Sequence, residues 1–106
     1  MGNIFANPYY AVVFKSKRTD GDNGYSHTAS KVLAEAEKQE GFLGADSVRD
    51  ADGTGITVSY WASLDSIEKW KANPLHLSAK VKGKELWYQD YTIRICKVED
   101  DNSFPV

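Results

Sequence analysis

The chain predicts an α+β domain built on a four-strand antiparallel sheet, and three observations carry that expectation. Strand-like and helix-like patterns follow one another in the order βαββαβ. An Asp-Gly pair joins the second and third strands, and the first strand is apolar on both of its sides. With 106 residues there is material for one hydrophobic core but not for two. We therefore expect a single domain over 1–106, with its core at about 9–99 and flexible ends at 1–7 and 100–106.

The first strand is expected from Tyr9 to Lys17, a run dominated by aromatic and β-branched residues. It ends at Thr19-Asp20-Gly21-Asp22-Asn23-Gly24, a cluster of turn formers. Tyr25, Ala29, Val32, Leu33 and Ala36 then recur at helical spacing, with Asp22 or Ser26 available as a cap and Gly41 placed to end the last turn. Phe42 to Asp50 and Gly55 to Ala62 form a hairpin through Ala51-Asp52-Gly53-Thr54.

Ser63 is positioned to cap a short helix carrying Leu64, Ile67 and Trp70, which must stop at Asn73 because the residue before a proline avoids the helical region. Pro74 opens a further helix with Asn73 as its cap, expected to continue to about Trp87. Alternation from Tyr91 to Val98 supplies the last strand. Two βαβ halves in this order describe a ferredoxin-like antiparallel sheet with its helices on one face.

In the first strand Tyr10, Val12 and Phe14 point one way while Tyr9, Ala11 and Val13 point the other. Helices cover one face only, so the other needs a cover, and a second copy of the sheet is the simplest one. The expectation is a homodimer rather than a lone domain shielded by its own ends.

A formal charge of −2 is spread over 13 basic and 15 acidic residues without a basic run, so neither a nucleic acid nor an anionic membrane is an expected partner. The one cysteine, Cys96, has no disulfide or metal-binding mate and is expected to be a small buried residue; its solitude favours a reducing compartment, the cytoplasm. The longest apolar run, Ala11 to Phe14, falls far short of the roughly 20 residues that span a bilayer. The opening residues lack a signal peptide's basic start and carry Ala6 where N-myristoylation needs Ser or Thr.

The stretch Gly55-Ile56-Thr57-Val58-Ser59-Tyr60-Trp61, followed by Ser63 to Leu77 with Trp70, Asn73-Pro74 and His76, resembles the antibiotic biosynthesis monooxygenase domain family. Gly83 to Tyr91 is similar to that family's passage into its last strand, and Gly41-Phe42-Leu43-Gly44 to the start of its second. The resemblance implies two ferredoxin-like sheets pairing into a dimeric α+β barrel, with one small-molecule pocket per subunit between helices and sheet. Its oxygenase branch implies an oxidoreductase that needs no flavin, haem or metal: a phenol-like substrate is deprotonated and passes an electron to dioxygen.

Such chemistry needs a dry aromatic pocket and a base that works near neutrality. His76 is the candidate base, and a continuous helix from Pro74 would set it on one stripe with Ala79, Gly83 and Trp87. Trp70 and Trp61 are candidates for the catalytic wall and substrate contact, since an indole stacks on a flat ring and keeps one donor. Trp87 and Arg94 are candidates to close or charge the pocket. Each also has a plainer role: His76 at a helix surface, the tryptophans in the core, Arg94 in a surface ion pair. His27 is expected to face solvent.

Two further functions compete with oxygenation. A dimer of the same fold can bind a hydrophobic metabolite without turning it over. The family's haem-degrading branch resembles the chain at Trp61 and Trp70 but depends on a first-strand asparagine and a haem-ligating histidine, where this chain has a stretch near Val13 and Lys80.

Overall fold

The computed structural model describes residues 5–105. Strand β1 (Tyr9–Arg18) leads to helix α1 (Tyr25–Glu37), strands β2 (Phe42–Arg49) and β3 (Thr54–Trp61), and helices α2 (Leu64–Lys71) and α3 (Pro74–Lys82). A π-helical turn, Gly83–Trp87, then delivers the chain into β4 (Tyr88–Val98). The strands form one antiparallel sheet in the order β2-β3-β1-β4, with β1 and β3 in the middle. The order is that of the ferredoxin-like arrangement.

Local chemistry explains most of the boundaries. Ser63 accepts a hydrogen bond from the Ser66 N–H in a capping box that starts α2. Asn73 Oδ1 accepts from the N–H groups of Leu75 and His76, at 3.0 and 3.2 Å, and so starts α3 with Pro74 in its first turn. The hairpin turns through Asp52 and Gly53, the latter at φ 92°, and Arg49 braces it by donating to the Gly53 carbonyl and to Ser16.

Four expectations need correction. Gly41 does not close α1, which ends at Glu37. It lies at φ 87° before β2, where its carbonyl accepts from the Ala62 N–H at 2.7 Å. The residue capping α1 is Gly24 at φ 83°, and Asp22 contributes by accepting from Ser26 at its N–H and hydroxyl. The third helix does not run evenly to Trp87: after Lys82 the spacing widens to π, because the chain must turn Trp87 inward before pairing with β1 from Tyr88 onward. Cys96 is exposed, because it stands on the uncovered sheet face of edge strand β4.

The register defines the two faces. Val12 lies between Ser59 and Ile95, and Phe14 between Thr57 and Ile93; this is the helix side. Ala11 lies between Tyr60 and Cys96, and Val13 between Val58 and Arg94, on the other side. That second face carries Ile56 and Val48, which are 39% and 73% exposed.

The ends, expected to hang free, hold part of that face. Phe5 packs on Tyr9 and Tyr60 at ring distances of 5.2 and 5.7 Å, and the Tyr9 hydroxyl donates to Asp101 at 2.7 Å. The apolar Phe5 ring removes Tyr9 from water, and the acid satisfies its hydroxyl. Residues 1–4, part of the end expected to be flexible, lie outside the described residues.

Candidate functional site

Between the helices and the sheet lies a cavity of about 440 Å³. Its floor is the helix-side register just described: Val12 and Phe14 on β1, Thr57, Ser59 and Trp61 on β3, Ile93 and Ile95 on β4. Its roof comes from Val32 and Ala36 of α1, Ile67 and Trp70 of α2, and His76 and Ala79 of α3. Leu33, Ile93 and Ile95 line it while remaining 39–47% exposed, so the cavity is not sealed from solvent.

Two aromatic groups shape its walls. Trp61, fully buried, stacks on Trp70 at 5.9 Å and 30°, and Trp70 stacks in turn on the His76 ring at 4.9 Å and 35°. Phe42 packs edge-on against Trp61 from β2. The second group is Phe14, Tyr25, Trp87, Tyr88 and Tyr91, with ring distances of 5.3–6.1 Å between neighbours. Arg18 holds this group together: its guanidinium lies 3.7 Å from the Tyr25 ring centre and donates to the Trp87 carbonyl. The Trp87 indole N–H donates to the Asn23 carbonyl at 2.9 Å, so that ring is fixed from both ends.

Polar atoms are few and mostly matched. The Trp61 indole donates to Ser59 Oγ at 3.0 Å, and the Ser47 and Thr57 hydroxyls share a hydrogen bond of 2.7 Å. The exception is His76 Nδ1, which is buried and has no hydrogen-bond partner. Burial, and to a smaller extent the charge of Lys80, hold the His76 imidazole below its ordinary pKa, against an opposing pull from the Lys71 backbone. The ring is therefore neutral near pH 7, and a neutral imidazole keeps one nitrogen as an acceptor. Burial and the neighbouring Tyr25 push the Tyr88 phenol well above its usual range, which keeps it protonated.

Of the residues singled out from sequence, Trp61, Trp70, Trp87 and His76 all line this one cavity. Arg94 does not: strand alternation sets it opposite Val13 on the other sheet face, exposed, where it neither closes nor charges the pocket. His27 is exposed, as expected. Sequence reasoning missed the hydroxyl row of Thr57 and Ser59, although their two-residue spacing from Trp61 announces a shared face. It also missed Tyr25 and Tyr88, which meet only through tertiary contact.

Fold and cavity together define a ferredoxin-like α+β domain with a cavity between its sheet and its helices. The sequence pattern of the antibiotic biosynthesis monooxygenase family matches residues 9–82, and the chain belongs to that family. It is 48% identical over 97 residues to the uncharacterized protein YqjZ of Bacillus subtilis (strain 168), a match covering 92% of this chain and 85% of the relative. Among solved structures it is similar to Rv0793 from Mycobacterium tuberculosis, with a TM-score of 0.77 at 14% identity, covering 90% of this chain and 99% of that one. SnoaB, a cofactor-independent oxygenase from Streptomyces nogalater, superposes with a TM-score of 0.72 at 15% identity over 93% and 99% of the two chains. At such identities the structural likeness speaks for the fold alone.

Proposed function

We propose that the chain is a cofactor-independent monooxygenase that oxidises a small aromatic or enolisable compound in the cavity, acting as a homodimer in the cytoplasm. The observation that carries the proposal is the Trp61–Trp70–His76 ring stack on the wall of a cavity of about 440 Å³. Membership of the antibiotic biosynthesis monooxygenase family supports the same reaction class.

In this reading a flat phenol or quinol lies along the indoles, and neutral His76 takes its hydroxyl proton. The resulting anion and its ring C–H together give up four electrons to dioxygen: one oxygen atom becomes a new ring carbonyl in place of that C–H, and the other leaves as water with the two hydrogens lost by the substrate. The substrate is the only reductant. The protein's part is to hold the ring, to accept the proton and to limit bulk water.

The dimer rests on the uncovered sheet face. The accessible surface of 7068 Å² exceeds the roughly 5,900 Å² expected of a compact monomer of this mass, and Ile56 and Val48 lie bare on that face. Sedimentation at high concentration tests this part: a soluble, folded monomer would remove it.

Oxygen uptake with quinols and hydroxynaphthalenes, before and after His76→Ala, tests the reaction. We expect uptake by the native chain and a fall of about 100-fold without His76, the usual worth of a general base. An unchanged rate in the variant would remove His76 from the mechanism. One observation favours a second reading, a dimer that binds a hydrophobic metabolite without turnover: burial and Lys80 make His76 a weaker base than a free imidazole. A ligand recovered unchanged after long aerobic incubation would establish that role instead.

A further inference from the structure

We infer that the cavity takes a planar aromatic anion, and that Lys80 is the residue that recognises its ionised oxygen. The inference deepens the proposed function, since it rests on the ligand occupying this same cavity.

Two charged side chains line the cavity, Lys71 and Lys80, since Asp46 stands opposite Val58 on the other sheet face. Asp46 accepts from the Tyr60 hydroxyl at 3.2 Å, and Lys71 pairs with Glu68 at 3.2 Å. Lys80 has neither a hydrogen bond nor an ion pair among the described residues. It stands four residues after His76 on α3, so the two side chains share a helix face, with Cβ atoms about 5–6 Å apart. Its charge reaches the imidazole, which it makes less basic.

An unmatched ammonium beside an apolar, aromatic-walled space is a recognition element for negative charge. Because Lys80 is exposed, its head stays hydrated in the empty protein, and little desolvation opposes the arrangement until a ligand arrives. The His76 imidazole, which also lines the cavity, lies one turn away along the same helix. An aromatic ring carrying an ionised oxygen and a neighbouring hydroxyl would satisfy both groups at once. A ring without an ionised oxygen would leave Lys80 unused. A carboxylate and a phenolate both supply the required charge, and the experiment separates them.

Calorimetric titration of the full chain with 2-naphthoate, a nitronaphtholate that is ionised at neutral pH, and uncharged 2-naphthamide tests the inference. We expect the anions to bind about ten-fold or more tightly than the amide, the usual worth of a charge-assisted hydrogen bond. Lys80→Met should abolish that preference while leaving amide binding in place, and added salt should weaken only the anions. Lys82→Met, on the same helix but outside the cavity lining, should change neither. Tighter binding of the naphthoate alone identifies a carboxylate ligand, and of the nitronaphtholate alone a phenolate. Equal binding of anions and amide by the native chain, or equal weakening of both by Lys80→Met, overturns the inference while the pocket stands. If none of the three binds, the pocket assignment fails and the inference fails with it.

Discussion

Replacing Gly41 with alanine should be among the most damaging single-methyl changes in the protein, and its cost divides into two parts. Gly41 sits at φ 87°, where an L residue costs about 1–2 kcal/mol. A methyl group there would also lie 2.6 Å from Ser66 Cβ and 2.7 Å from Ser66 Oγ, inside the capping box that starts α2. Overpacking of that kind adds about 1–3 kcal/mol, for a total of about 2–5 kcal/mol. Gly24 supplies the control. Its φ of 83° is nearly the same, yet nothing lies within 4 Å of the added methyl, so Gly24→Ala should cost only about 1–2 kcal/mol. Urea unfolding of both variants, analysed at constant slope, measures the two costs. Ser66→Gly in the Gly41→Ala background should return the steric part. Equal destabilisation of the two glycine variants would refute the close approach of β2 to α2, and with it the account of how Trp70 is aimed into the cavity.

Other consequences can be checked with the same preparations. Trp61→Ala should cost about 3–5 kcal/mol by urea unfolding, because the ring is fully buried and its removal opens space beside Phe42 and Trp70. NMR titration of His76 should give a midpoint below the roughly 6.5 of a free imidazole. Since its folded pKa is the lower one, its contribution to stability is complete above that free value and is lost as pH falls through the folded midpoint; His76→Phe should remove this dependence. The hydrogen bond to Asp101, followed by burial, raises Tyr9 from 10.0 to about 12. That stability is present below pH 10 and lost as pH rises through about 12, so Tyr9→Phe should cost about 1 kcal/mol near neutrality and flatten the alkaline limb.

The site shows how much of a pocket can be read from a chain. Trp61, Trp70 and Trp87 were legible because large aromatics on amphipathic elements must be buried somewhere, and His76 because it follows a capped helix start. Arg94 shows the limit. Its neighbours Thr92 and Cys96 were correctly set on one face, but β1 is apolar on both sides, so no pattern said which face the helices would take. Lys80 was visible four residues after His76, yet its lack of a partner depends on where every carboxylate of the chain ends up.

The sequence by itself determined the order of elements, the Asp-Gly hairpin and the caps at Ser63 and Asn73, because these follow from backbone period and from donors and acceptors a few residues apart. Tertiary structure alone decided that α3 widens into a π turn at Gly83, that Phe5 and Asp101 fold back over Tyr9, and that Arg18 ties Tyr25 to Trp87. Those features join residues up to 92 positions apart. Their energies come from packing and from satisfying buried polar groups, which no local pattern encodes.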